Sequence, residues 1–82
     1  MGSIGYATYD AGRQQLAVVR PGEGNTRYIH MSNFYPMSDK VFDVQVDGNE
    51  ISVMVGPHSN GRANRRLIYG MRSLGWMRSR GI

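Results

Sequence analysis

Between Val41 and Val55 the chain alternates apolar and polar residues on both sides of a short turn, Asp47-Gly48-Asn49. Phe42, Val44 and Val46 alternate with Asp43, Gln45 and Asp47, and past the turn Ile51, Val53 and Val55 alternate with Ser52 and Met54. Side chains on a strand change face at every residue, so this pattern around a Gly-containing turn specifies a β-hairpin with one buried face. Two registers satisfy it. A two-residue Asp47-Gly48 loop sets Val44 opposite Ile51 and Phe42 opposite Val53. A Gly48-Asn49 loop sets Val46 opposite Ile51, Val44 opposite Val53 and Phe42 opposite Val55. Both keep the apolar residues on one face. The second also sets Asp47 opposite Glu50, a like-charge pair, which favours the Asp47-Gly48 loop.

More strands are expected before the hairpin. Ile4 to Asp10 is rich in aromatic and β-branched residues, with Ile4, Tyr6 and Thr8 on one face. Asp10-Ala11-Gly12-Arg13 supplies turn chemistry. Gln15 to Arg20 returns as a strand apolar on both faces, Leu16 and Val18 against Ala17 and Val19, which predicts a central, covered position. Pro21 to Asn25 is a loop of breakers. Thr26 to Ser32 alternates again and completes a meander. Pro36 disfavours helix at Tyr35, and the Tyr35-Pro36 bond is a candidate cis peptide. Phe34, Tyr35 and Met37 are expected to fold back as an apolar plug over one end of the sheet.

After the loop Gly56 to Gly61, the segment 62–82 is ambiguous. Leu67, Met71, Leu74 and Met77 recur at helical spacing. Gly70 and Gly75 each cost a helix about 1 kcal/mol relative to alanine. Arg66 to Tyr69 reads equally as a sixth strand. The expectation is a short strand or helical turn near 66–69, then a Gly-hinged, partly helical basic tail. The predicted fold is therefore a single all-β domain over 1–82, a small curled antiparallel sheet or barrel of five to six strands. Its basic C-terminal segment, 62–82, has room for a short helix.

An 82-residue chain buries little area, and it has no cysteine with which to staple a small core. Self-association is expected for that reason, and from the two-faced second strand. No stretch has the length of a membrane span or the makeup of a signal peptide, so a soluble, cytoplasmic protein is expected.

Charge is where function is most legible. Residues 1–50 hold all six acids and four bases, whereas residues 51–82 hold six arginines and no acid. Such asymmetry points to an anionic partner. Arg62, Arg65, Arg66, Arg72, Arg78 and Arg80 interleave with Tyr69 and Trp76. Guanidinium groups pair with phosphate oxygens and aromatic faces stack on unpaired bases. Tyr6, Tyr9 and Tyr28 would extend that platform. These residues together predict a non-enzymatic module for DNA or RNA, single strands included. The competing explanation is that the apolar members are core and the arginines merely solvated. The rival function is a small protein-interaction or inhibitor module, of phage or plasmid accessory type, whose basic patch meets an acidic partner.

Other chemistry finds little support. His58 beside Ser59 lacks the geometry of a nucleophile and base, because adjacent side chains rarely converge on one atom. His30 falls on a strand. Asp39, Asp43 and Asp47 recur along the outer face of one strand, the ordinary placement of solvated charges. Gly22-Glu23-Gly24 lacks the lysine and helix of a phosphate loop. Two histidines without cysteine make a metal site improbable. No enzyme activity, cofactor or metal is expected.

Overall fold

A computed structural model describes residues 5–72 and 75–82, the side chains of residues 76–78 excepted. The described residues form seven strands and no α-helix, one strand beyond the expected range. β1 (Tyr6–Asp10), β2 (Gln15–Val19) and β3 (Thr26–His30) make an antiparallel meander with β2 in the centre. β4 (Asp39–Asp47), β5 (Glu50–Pro57), β6 (Arg65–Gly70) and β7 (Gly75–Gly81) make a second, four-stranded meander. β1 lies against β4. Among the described residues no ladder joins the two sheets, which face each other and do not close into a barrel.

The inner faces share one core. Leu16 and Val18 of β2 meet Ile51, Val53 and Val55 of β5 and Leu67 and Tyr69 of β6, with Met31 and Met71 closing the two ends. The outer residues of β2, Ala17 and Val19, are half-buried between cross-strand neighbours, and among the described residues no further sheet covers them; Tyr28 and Tyr6 beside them are exposed. In β1 it is Ala7 and Tyr9 that face the core. Ile4 lies outside the described residues.

The central hairpin adopts the register that charge argued against. Val46 pairs with Ile51, Val44 with Val53, and Asp47 with Glu50. Gly48 has a φ of 60° while Asn49 keeps a negative φ. Positive φ at only the first turn residue is the type II′ pattern, whose twist matches the strands and which asks only glycine for the unusual conformation. Turn geometry outweighs one like-charge contact of at most about 1 kcal/mol. Asp47→Lys should therefore stabilise the protein by about 0.5 kcal/mol, a rise of about 2–4 °C in Tm by thermal unfolding. An unchanged or lower Tm would show that the pair exerts no strain.

A bulge also overturns part of the predicted facing. Val41 pairs with Val55 and Asp43 with Met54, which leaves Phe42 as the extra residue. One inserted residue reverses side-chain parity beyond it. Val41 thereby packs on the core, and Phe42 turns outward, with the Lys40 ammonium 4.7 Å from its ring centre.

The C-terminal segment is strand, not helix. β6 and β7 pair antiparallel, with a second irregularity between Ile68 and Tyr69. Leu67, Tyr69 and Met71 join the shared core at a period of two, which the i, i+4 spacing of Leu67 and Met71 had concealed, and Ile68 between them is buried outside that cluster. Leu74 lies outside the described residues, as does the side chain of Met77. The β3–β4 connection also differs from expectation. Met31, at the start of a 3₁₀ turn, and half-buried Tyr35 turn inward, while Phe34 and Met37 are exposed. Every described peptide bond is trans, Tyr35-Pro36 included. Among the described residues no helix is long and apolar enough to cross a membrane.

Candidate functional site

The arginines of the second half divide between the two ends of the sheet pair. Arg62, Arg65, Arg66 and Arg80 gather at the end where β4 and β6 begin and β5 and β7 finish. Arg65 pairs in register with Gly81, and Arg66 with Arg80. Arg62 precedes them in a loop pressed onto β5. A Cβ on Gly56 would fall 2.7 Å from the Arg62 carbonyl oxygen and 2.9 Å from the Ala63 Cα. Only glycine permits that approach.

Inside this group, strand parity decides the roles. Arg65 has inner-face parity, and its guanidinium holds Asp39 at 3.3 Å. The Asp39 side chain is only 9% exposed against 36% for Arg65. That pair ties the start of β4 to the start of β6. Arg66 and Arg80 have outer-face parity, are exposed, and form no ion pair with any of the six acids. Two like charges directly opposite on neighbouring strands repel unless an anion sits between them. Met54, the other register neighbour of Arg66, lies on the same face, next to Asp43 on β4. Asp43 is already engaged by the Val44 N–H at 2.9 Å and the Gln45 amide at 3.0 Å. The β4 bulge places Lys40 and Phe42 on this face too. The outcome is a pair of half-buried apolar residues, Phe42 and Met54, with Asp43 beside them and Lys40, Arg66 and Arg80 around them.

Arg72 lies at the opposite end, in the β6–β7 turn. Its Nε donates to the Asn49 side-chain oxygen at 3.4 Å, and its carbonyl accepts from Arg20 Nη2 at 3.0 Å. Arg20 also holds Glu23 at 3.0 Å, and its Nε has no hydrogen-bond partner among the described residues. Tyr69, 5% exposed, belongs to the core and presents no ring to a base. Burial raises its phenol pKa, an effect that Arg20 and Arg27 partly oppose. Trp76 pairs with Tyr69, and Arg78 with Ile68; their side chains lie outside the described set. The exposed tyrosines Tyr6 and Tyr28 stand on the outer face of the three-stranded sheet, away from the arginines.

Beside the arginine end lies a recess of mixed polar and apolar lining. Two adjoining clefts of about 410 and 240 Å³ share Gln14, Tyr35 and Asp39. The hydroxyls of Tyr9 and Tyr35 are 3.0 Å apart. Burial, followed by the Tyr35 hydrogen bond, pushes the Tyr9 phenol above its ordinary pKa, so it stays neutral. Gln14 has a φ of 53°, the one positive φ outside glycine among the described residues. The left-handed conformation costs a side-chain-bearing residue about 1–2 kcal/mol. A hydrogen bond of 2.8 Å from the Met31 N–H to the Gln14 carbonyl holds it there. His58 reaches the same recess, its N–H bonded to the Ser38 carbonyl at 2.9 Å. His30 is exposed at the end of β3, opposite Gln15. Among the described residues no group of three or more acids and histidines is arranged to hold a metal ion.

No protein-family model, curated protein sequence or solved structure matches this chain. Lys40, Phe42 and Met54 were absent from the sequence-derived site because only the bulge turns the first two outward. Gln14, Tyr35 and Asp39 were missed as a group because they come from three separate segments. Of these, only Gln14 carried a signal in the sequence, its place after an Asp-Ala-Gly-Arg turn.

Proposed function

We propose that this protein is a non-enzymatic nucleic-acid-binding module that grips backbone phosphates with the outer face of its four-stranded sheet. The observation that carries this reading is the Arg66–Arg80 cross-strand pair, exposed and without an ion-pair partner among the described residues. A phosphate between the two forks converts a repulsion into two charge-assisted contacts. Lys40 and Arg62 extend the cationic border. The Phe42–Met54 pair gives the sugar or base edge an apolar bed.

Fluorescence anisotropy with a labelled single strand and its duplex, across a salt series, tests this. Four neutralised phosphates predict a slope of log K against log salt of about −3 for single strands and about −3.6 for duplex. An acidic protein partner would use the same patch. In that case the folded protein would show no saturable binding to either nucleic acid at low salt, and this reading would be discarded.

A further inference from the structure

The geometry points to a nucleobase pocket in the recess beside the arginine face, formed by Gln14, Tyr9, Tyr35 and Asp39 under the Met37 rim. This rests on the phosphate-binding reading above and deepens it. The recess meets the outer face at the edge strand β4, where Lys40 both lines the smaller cleft and stands over Phe42 on the outer face, so a strand crossing Arg66 and Arg80 would reach it over that edge.

The chemistry of the recess matches a flat ring with a hydrogen-bonding edge. Tyr35 stands in both clefts and supplies an aromatic wall. Pro36 and Met37 complete an apolar rim on the larger cleft, and Met37 is 98% exposed. An unbranched thioether so fully in water has contact to gain from an aromatic guest. Below the rim the lining is mixed, with Ala11 and Val41 among the polar groups. Whichever of the two tyrosine hydroxyls donates to the other, the acceptor keeps its own O–H for a guest. The pair therefore offers a donor and acceptor lone pairs side by side, and the Gln14 amide offers both kinds at one planar group. A base edge requires this mixture, whereas an anion would require donors alone. Lys40, lining the smaller cleft, is placed for the attached phosphate. Gln14 fits the same view. Glycine would occupy its backbone conformation without strain, so the side chain is held there at a conformational cost.

The base could belong to a single strand or to a free nucleotide, and four probes separate the sources. These are a single-stranded oligonucleotide, its duplex, mixed nucleoside 5′-monophosphates and inorganic phosphate, each titrated into the full chain by calorimetry. The single strand is expected to bind at least tenfold more tightly than the duplex, whose bases are stacked away. Gln14→Gly and Tyr35→Phe should each abolish that preference while leaving duplex affinity and its salt slope unchanged. Gln14→Gly relieves a strained residue, so it reports on the pocket without unfolding the protein. Monophosphates that bind, where inorganic phosphate and both oligonucleotides do not, would identify a nucleotide pocket; that outcome would remove the phosphate-face reading alone. Equal affinity for single strand and duplex with no monophosphate binding would overturn the pocket and spare the face. A single-strand preference that survives both substitutions would also overturn the pocket. Silence from all probes would overturn both.

Discussion

Val53→Lys is expected to leave the chain without a cooperative thermal transition at 25 °C. Val53 is fully buried in β5, paired with Val44 on one side and Leu67 on the other. Removing the valine forfeits about 1.5–3 kcal/mol of apolar burial. Placing an unpaired ammonium in the same space costs about 3–5 kcal/mol more. The total rivals the whole stability of a chain this long, about 4–12 kcal/mol. Gln45→Lys, on the exposed outer face of β4 and beside Asp43, should stay within about 0.5 kcal/mol of the parent. Circular dichroism melts of the two variants decide the matter. Similar shifts in both would mean that the inner and outer faces of the hairpin have been assigned wrongly.

Arg66→Gln with Arg80→Gln should move stability and binding in opposite directions. Without ligand, each substitution removes one side of a like-charge cross-strand contact, so stability should rise by about 0.2–1 kcal/mol. With nucleic acid, two charged hydrogen-bonding groups are lost at about 1.5 kcal/mol each, a loss on the order of a hundredfold in affinity. The salt slope should shrink by about 1.4 for single strands and about 1.8 for duplex. Arg65→Gln is the control, because Arg65 is engaged with Asp39. It should lower stability by leaving that nearly buried carboxylate unpaired, and it should change the salt slope little. A double variant that loses stability and retains affinity would show that Arg66 and Arg80 hold the sheet together and do not read an anion.

What local pattern could determine, it did. Alternation over Val44 to Val55 established a hairpin with one apolar face, though not the outward turn of Phe42, and the breakers at Pro21 to Asn25 and Gly56 to Gly61 marked where strands end. The central place of β2 was legible, but not which face is core: Leu16 and Val18 against Ala17 and Val19 read as equally apolar, and only the facing sheet chose the first pair. The acid-free stretch after Ile51 located the arginines that matter, though not which way each faces. Those choices are non-local. The register followed from the backbone freedom of Gly48, and the outward turn of Phe42 from one unpaired residue in β4. Strand β7 exists because β6 offers it a ladder, since Gly70 and Gly75 leave the segment no strong preference of its own. Arg65 differs from Arg66 only in the side of the sheet it meets, where Asp39 pairs with one and, among the described residues, no acid pairs with the other. The recess of Gln14, Tyr9, Tyr35 and Asp39 has no sequence motif at all. Its members come from β1, the β1–β2 turn, the β3–β4 connection and the start of β4, and only the packing of one sheet on the other brings them together.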